Sequence, residues 1–275
     1  MKETKRSVSI INLLFIFCII LSFANSISAQ TDVIRPLPRI DKEFLLVVHN
    51  VIPPSGEAVD YSGDLAPRLE ELNGVFAPIG VSFRICESRF IENWNYFDNY
   101  DSTISQMLWK YNVPDRINVY IHGEVYATAK ILGGTTYVPM CGKATLTGVV
   151  SNHSGVFLKP GCFDITTIAH EFGHYFGLAH TFAGNGVENA DGSNCSTTGD
   201  FICDTPADPY DRAPSDQLVD NNCRFIYMEK DANGDFYDPD VSNIMGYYAN
   251  CRCLKFTQGQ YEYMVRTYYQ SPHLW

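Results

Sequence analysis

The chain is poor in basic residues, with 20 Lys and Arg against 31 Asp and Glu, for a formal net charge of −11. Such an acidic surface repels a phosphate backbone, which argues against nucleic acid as a partner. Long apolar runs are scarce too, since the one stretch of that kind covers residues 10–21 near the N-terminus. The sequence has no pair of CxxC motifs, no internal repeat and no low-complexity tract, which argues against a cysteine-type zinc site and a repeat architecture.

The N-terminus has the pattern of a secretory signal peptide. Basic residues precede the apolar run and small residues follow it up to Ala29, so we expect residues 1–29 to be removed. An uncleaved membrane anchor is the alternative, although the run is short for a full span. Cleavage would leave 17 basic and 30 acidic residues, a net charge of −13. We therefore expect a secreted, extracellular or periplasmic protein that is not anchored in a membrane after cleavage.

The rest of the chain alternates between strand and helix patterns. We expect strands at Phe44–Val51, Val81–Cys86, Ile117–Ile121, Gly133–Val138 and Thr145–Ser151, and helices over residues 65–76, 102–111 and from Asp164 onward. The aromatic stretch 87–100 has no clear pattern. Strands that alternate with helices and end in a strand pair predict a mixed sheet. His122 falls on the opposite face of its strand from the apolar residues, and we interpret it as structural.

The segment HEFGHYFGLAH, His170–His180, carries the chemistry. His170 and His174 are four residues apart, about 40° from each other on a helix, and can bind one metal ion from the same face. Glu171 lies about 100° round the helix axis, where it can act on a water at the metal without being a ligand. The pattern predicts a zinc site, and only seven histidines in the chain leave little room for coincidence.

His180 can join that site only if the helix ends before it. A continuous helix would turn His180 about 240° away from His174. Gly177 can end the helix because glycine enters the left-handed conformation without a steric cost. We expect Asp164 to cap the other end, and Ile165, Ala169, Phe172 and Phe176 to pack on the sheet.

Four ordered motifs resemble the metzincin zinc peptidases, and among them the pappalysin family with its ulilysin-type bacterial enzymes. They are the zinc motif through Phe182, GDFICDTP at 199–206, NIMGYY from Asn243 and FTQGQ at 256–260. Met245 resembles the Met-turn residue that packs under the metal without binding it. The resemblance extends over nearly all of the mature chain.

The resemblance implies an α+β, metzincin-like catalytic domain over residues 43–275, after a short extension or pro-segment at 30–42. Its N-terminal subdomain, 43–177, would hold a twisted mixed sheet, a backing helix and the zinc helix, and its smaller C-terminal subdomain, 178–275, would be irregular. The cleft would lie between them. A protein or peptide substrate would add itself to the edge strand Gly133–Val138 through main-chain hydrogen bonds.

The activity that the resemblance implies is that of a zinc-dependent endopeptidase. Zinc held by His170, His174 and His180 would activate a water, and Glu171 would be the general base. Tyr247 matches a tyrosine that can donate a hydrogen bond to the transition state. Packing alone is the other interpretation of Tyr247.

Calcium and disulfides are further expectations for the C-terminal part. Asp200, Asp204 and Thr205 lie where the family can bind calcium, although a hydrogen-bonded loop explains them as well. The acidic segment 231–240 lacks the glycine and glutamate of an EF-hand loop, and we interpret it as a solvated insertion, with an ion as the alternative. Eight cysteines remain after signal cleavage, and an even number indicates disulfides. The candidates here are Cys195, Cys203, Cys223 and one of Cys251 or Cys253, in a connectivity that the sequence leaves open.

Two other functions stay open at this point. One is an inert zinc-bearing binding protein, which the intact Glu171 argues against. The other is a zinc hydrolase of non-peptide amides or esters. The sequence does not indicate the substrate or the oligomeric state.

Overall fold

A five-stranded mixed sheet forms the centre of the fold. The computed structural model describes residues 35–99, 101–131, 134–146, 153–184, 187–212, 217–248, 251, 253–272 and 275. The strands of this sheet are β1 (Lys42–Val51), β2 (Val81–Ile91), β4 (Ile117–Ile121), β7 (Gly142–Ala144) and β8 (Gly155–Leu158). Their spatial order is β2-β1-β4-β8-β7, and all neighbours are parallel except the outer pair β7 and β8. The mixed sheet expected from the sequence is confirmed.

Strand β2 is longer than the sequence pattern predicts. Its pairing with β1 shifts by one residue between Leu46 and Val47, so that Cys86 is the extra residue of a bulge. A bulge reverses which side chains face the core. The alternation of apolar residues therefore breaks at Cys86, and this is why the extension to Ile91 was not recognisable.

A second, three-stranded sheet contains β3 (Asp98–Asn99), β5 (Glu124–Ile131) and β6 (Gly134–Met140), in the order β3-β5-β6. The segment that we predicted as the edge strand of the cleft belongs to this sheet. It pairs along its length with β5, which lies outside the five-stranded sheet. The outer strand of the five-stranded sheet is β7 instead.

Among the described residues, four α-helices accompany the sheets: α1 (Ser62–Phe76), α2 (Asp101–Tyr111), α3 (Ile165–Tyr175) and α4 (Gln258–Gln270). Leu69 and Phe76 of α1, Phe172 of α3 and Met264 of α4 are buried in one core with Leu46 of β1. Met107 of α2 and Tyr120 of β4 belong to a second core together with Phe157. Because Val156 and Phe157 enter different cores, β8 is buried on both faces.

The strand predicted at Thr145–Ser151 is wrong where the structure describes it. Residues 145 and 146 lie outside any strand, and 147–152 are not among the described residues. The strands that the structure describes on either side of this gap are β7 and β8, with the second formed by the short run Gly155–Leu158. Such an apolar run, bounded by turn residues, is the pattern of a fully buried strand.

Beyond Gly177 the described chain consists mainly of turns and loops up to α4, as expected for the C-terminal part. Residues Leu37–Trp275 form one compact unit, and the boundary between subdomains at residue 177 stays a prediction. The predicted signal peptide lies outside the described residues. None of the described helices has the length and apolar content that a membrane span requires.

Candidate metal centre and active site

Helix α3 begins and ends where the sequence predicts. The Asp164 side chain accepts a hydrogen bond from the backbone N–H of Thr167 at 2.9 Å, which caps the first turn. At the other end, the N–H of Gly177 donates to His174 at 2.8 Å and that of Leu178 to Gly173 at 3.0 Å. This pair of bonds is a Schellman motif, and Gly177 has the positive φ of 94° that the motif needs. The chain therefore leaves the helix axis before His180.

The three predicted histidines come together. One ring nitrogen from each of His170, His174 and His180 lies within 4.8 Å of the other two, and no other such group of His, Cys, Asp or Glu occurs among the described residues. The Nε2 atoms of His174 and His180 are 3.0 Å apart. Nitrogens this close, on rings from two separate backbone segments, are arranged to share one metal ion.

Backbone carbonyls fix the orientation of two of these rings. Nδ1 of His170 lies 2.7 Å from the Ile244 oxygen, and Nδ1 of His174 lies 2.7 Å from the Leu178 oxygen. A carbonyl can only accept, so each Nδ1 carries the proton and each Nε2 presents its lone pair. Metal-binding histidines are held in this way.

The rings of His174 and His180 are also neutral at physiological pH. Burial lowers the pKa of His174 to about 4. Burial, followed by the proximity of His174, lowers the pKa of His180 to about 3. Three imidazoles whose ring nitrogens converge in this way fit a tetrahedral transition metal ion that keeps one position open.

Glu171 is buried beside the outer strand of the sheet. It is 6% exposed, and a Cβ atom at Gly142 of β7 would lie 2.7 Å from its Cγ. Only glycine lets the strand approach the carboxylate so closely. Gly142, Ala144, Glu171, His174, His180 and Tyr247 are among the residues that line a cavity of about 400 Å³. The strand, the carboxylate and the metal cluster thus share one cleft.

Met245 and Tyr247 differ in their burial, since Met245 is buried and Tyr247 is half-buried. Met245 is fully buried, and its sulfur is 2.6 Å from where a Cβ at Gly173 would be, so it packs against the backbone of α3. Tyr247 lines the cavity, with its ring centroid 4.5 Å from that of His180 and 5.5 Å from that of His170. Met245 is therefore a packing residue, and Tyr247 borders the cleft.

The candidate calcium residues separate into two groups. The Thr205 hydroxyl lies 2.9 Å from both carboxylate oxygens of the buried Asp200. Asp204 instead accepts hydrogen bonds from the Thr257 hydroxyl at 2.8 Å and the Gly259 N–H at 2.7 Å, at the start of α4. Sequence reasoning missed Glu188, which is 3% exposed and whose carboxylate lies against Gly199.

Two other predicted features have local explanations. Nδ1 of the buried His122 lies 2.7 Å from the Tyr96 carbonyl oxygen, as a structural histidine would. In the acidic segment 231–240, Asp231 accepts backbone hydrogen bonds from Asn233 and Asp235, at 2.8 and 2.9 Å. These bonds close a tight turn within the segment.

The cysteines form three disulfides among the described residues. Cys195 pairs with Cys203 and Cys223 with Cys251, whereas Cys253 is unpaired and exposed. The third, Cys141–Cys162, was not predicted. Cys141 directly precedes β7, and Cys162 lies two residues before the cap of α3, so this bond links the start of β7 to the segment that leads into α3.

The fold and the site together define a metzincin-type architecture. A solved structure of mature mirolysin from Tannerella forsythia, in complex with a cleaved peptide, matches with a TM-score of 0.51 at 17% identity, over 82% of this chain and 91% of that one. The chain belongs to peptidase family M43: the family model, described as pregnancy-associated plasma protein-A, matches residues 98–268.

Curated relatives are named extracellular metalloproteases. One from Coccidioides posadasii (strain C735) is 27% identical over 77% of this chain and 71% of its own length. Another, from Podospora anserina, is 30% identical over 50% of this chain and 45% of its own length. The chain spans about half the length of the Podospora relative and of a Colletotrichum graminicola relative, at 45% and 49%.

Proposed function

We propose that the protein is a secreted, zinc-dependent endopeptidase. The observation that carries this proposal is the convergence of three imidazoles beside Glu171, in a cleft bordered by the outer strand of the sheet. His170, His174 and His180 would hold the zinc ion. When bound, zinc supplies Lewis acidity that polarises a carbonyl oxygen and makes water a better nucleophile.

Glu171 is the general base of the proposed reaction. Its carboxylate takes a proton from the attacking water and passes it to the nitrogen of the leaving amine. Its position on α3, directly after His170 and against Gly142, supports this role. The close strand also shields the carboxylate from bulk solvent, which strengthens its interactions inside the cleft.

Tyr247 is the proposed hydrogen-bond donor. As the carbonyl carbon becomes tetrahedral, negative charge develops on its oxygen, and a phenol hydroxyl at the edge of the cleft can stabilise that charge. The ring of Tyr247 packs against the rings of both His180 and Phe182, with centroids 4.5 and 4.9 Å away. Such packing limits the positions of the hydroxyl before substrate binds.

The substrate is proposed to be an extended polypeptide paired with β7. This strand is antiparallel to β8 and is the outer strand of the five-stranded sheet. Addition of a peptide strand gives main-chain hydrogen bonds that are independent of side-chain identity. Gly142 would bring the backbone of the substrate next to Glu171, and internal peptide bonds can enter a cleft of this kind.

Secretion is proposed from two observations. The N-terminal sequence has the pattern of a signal peptide, and the described residues contain three disulfides. Disulfides persist in oxidising compartments and are rare in the cytosol.

A structural calcium ion is proposed near Asp200, Thr205 and Glu188. Burial raises the pKa of both Asp200 and Glu188 to about 7, and for Glu188 the neighbouring Asp200 and Asp208 contribute as well. No hydrogen bond to the Glu188 carboxylate occurs among the described residues, although this side chain is 3% exposed. A cation with oxygen ligands would offset the repulsion and satisfy the buried carboxylate.

The test of the proposed function is cleavage of casein, gelatin and a peptide library by the purified protein. Glu171→Gln removes the base but keeps the size of the side chain, and Glu70→Gln, on the exposed face of α1, is the matched control. We expect Glu171→Gln to lose about 10²- to 10⁴-fold in kcat while it keeps its zinc. Chelation should abolish cleavage, and added zinc should restore it.

Two results would overturn the proposal. Equal cleavage by the Glu171→Gln variant would remove Glu171 from the mechanism. Zinc binding without cleavage of any polypeptide would favour an inert binding protein, and turnover of non-peptide amides or esters alone would favour the other alternative.

A further inference from the structure

Asp208 is a buried carboxylate between the two loops that complete the site. It is 2% exposed and lies in the loop that follows the GDFICDTP segment. Its Oδ2 accepts a hydrogen bond from the Thr181 hydroxyl at 2.7 Å. Its Oδ1 accepts from the Tyr248 hydroxyl at 2.8 Å and from the Tyr210 backbone N–H at 3.0 Å. Three donors are thus directed at one side chain that can only accept.

Two of the residues that donate to Asp208 directly follow a residue of the proposed active site in the sequence. Thr181 follows His180, the histidine that lies outside α3, and Tyr248 follows Tyr247. Asp208 therefore connects the loop of the third metal ligand to the segment after the Met-turn. A second link runs in parallel, because the N–H of Thr181 donates to the Met245 carbonyl at 3.3 Å.

The position of His180 depends on such links more than that of the other two ligands. His170 and His174 belong to a helix, and carbonyl oxygens fix both rings at 2.7 Å. The His180 ring is packed by the rings of Phe182 and Tyr247, at centroid distances of 4.5 Å each. Ring packing is less directional than a hydrogen bond, so the backbone beside His180 has to set its angle.

We propose that Asp208 is a positioning residue of the active site, which sets His180 for metal binding through Thr181 and sets Tyr247 through Tyr248. It touches neither metal nor substrate. Partners that orient metal ligands in this way commonly contribute 10- to 100-fold to metal affinity or activity. This inference rests on the proposed zinc site and adds a residue to it that the zinc motif does not contain.

The arrangement predicts that the two side-chain hydrogen bonds to Asp208, from Thr181 and from Tyr248, have different effects. Loss of the Thr181 hydroxyl frees the loop of a metal ligand, so metal affinity should fall. Loss of the Tyr248 hydroxyl frees a segment that carries no ligand, so metal affinity should change little while kcat falls. Loss of Asp208 should combine the two effects, which would couple because both bonds end on one carboxylate.

The experiment measures zinc affinity by chelator competition and the visible absorption of the cobalt(II)-loaded protein, which reports the geometry of the ligands. We expect Thr181→Val to raise the zinc dissociation constant about 10- to 100-fold and to shift the cobalt bands. Thr181→Ser keeps the hydroxyl and should stay close to the wild type. Tyr248→Phe should keep the zinc affinity and lower kcat with little change in KM.

Asp208→Asn and Asp208→Ala complete the set. Asparagine can still accept from Tyr248, and its amide can donate to the Thr181 oxygen, so Asp208→Asn should lie between the wild type and Asp208→Ala. The matched control is Asp60→Ala, because Asp60 also accepts three hydrogen bonds, from Ser62, Ser88 and Asn50, at the start of α1. That variant should lose stability and keep its zinc affinity.

The outcomes separate the two proposals. A wild-type protein that binds no zinc would overturn the proposed function itself. The positioning role would be overturned by a different result, in which the wild type binds zinc and both Thr181→Val and Asp208→Asn keep its zinc affinity and its cobalt spectrum. That conclusion would hold whatever happens to thermal stability. If Asp208→Ala does not fold, Thr181→Val and its serine counterpart still decide the question.

Discussion

Nδ1 of His170 lies 2.7 Å from the carbonyl oxygen of Ile244, which joins the metal-binding helix to a backbone position 74 residues further along the chain. The turn that carries this carbonyl is itself fixed by Asn243. Oδ1 of Asn243 accepts from the Met245 N–H at 2.8 Å, and its amide exchanges two hydrogen bonds of 3.1 Å with Gln260 of α4. The NIMGYY and FTQGQ motifs therefore meet at one buried amide pair that supports a metal ligand.

Replacement of Gln260 by alanine should weaken both the fold and the metal site. It leaves the buried Asn243 amide without its partner, at a cost of about 1–3 kcal/mol in unfolding free energy. The turn that orients His170 would also loosen, so zinc affinity should fall. Chemical denaturation and chelator competition measure the two effects. Gln258→Ala, two residues earlier and on the exposed side of α4, should change neither.

Tyr247→Phe should lower kcat and leave KM nearly unchanged. It removes a donor that matters only as charge develops on the carbonyl oxygen, and loss of one such donor typically costs about 10²- to 10³-fold. Steady-state kinetics on a peptide substrate measures the effect. The exposed Tyr269→Phe serves as control. A rise in KM with unchanged kcat would instead assign Tyr247 to substrate binding.

Gly177→Ala should damage the site through the backbone. Gly177 has a φ of 94°, and a Cβ there would lie 2.9 Å from the Thr267 side chain of α4. Backbone strain of this kind costs about 1–3 kcal/mol in unfolding free energy. If the backbone moves to relieve the strain, the loop that leads to His180 is displaced. Gly56 has a φ of 80°, and a Cβ there would have nothing within 4 Å. The variant Gly56→Ala therefore measures the effect of backbone strain without a steric clash. Thermal unfolding and zinc affinity should fall more for Gly177→Ala.

Stability should depend on pH through Asp200 and Glu188. Burial raises the pKa of each to about 7, so the folded state binds more protons than the unfolded chain between roughly pH 4 and 7. Without calcium, the melting temperature should therefore fall as the pH rises through this window. Calcium should stabilise the protein more at pH 8 than at pH 5, measured by thermal unfolding at a fixed zinc concentration.

The variant Glu188→Gln is the control for the pH effect. It removes one of the two titrating carboxylates, so both the pH dependence and the response to calcium should shrink. An equal calcium response at pH 5 and pH 8 would contradict the prediction.

Removal of the Cys141–Cys162 disulfide should affect both stability and substrate binding. Closure of a loop with a sequence separation of 21 contributes about 3 kcal/mol to the unfolding free energy in the chain-entropy description. The bond also fixes β7 next to α3, so the double serine variant should show a raised KM. The matched variant without Cys195–Cys203, outside the cleft, should lose stability and keep its KM. Equal KM values for the two variants would contradict a role of the first disulfide in the cleft.

Local sequence determined the zinc helix from its cap at Asp164 to its end at Gly177, and the spacing of the three histidines determined that they can meet. These features depend on backbone geometry over a few residues, and local residue types and spacing are sufficient to predict that geometry. The strands β1 and β4 were predictable from local patterns too, because β1 contains a long apolar run and apolar residues alternate along β4.

Only the tertiary structure decided which strand borders the cleft, which cysteines pair, and which carboxylates are buried. Strand β7 has three residues and no pattern of its own, and it becomes the outer strand only because β8 fills the place beside β4. Glu188 and Asp208 look like any other acids of an acidic chain. Their roles arise from contacts between segments far apart in sequence, where burial and hydrogen-bond geometry, and not residue type, determine what a carboxylate does.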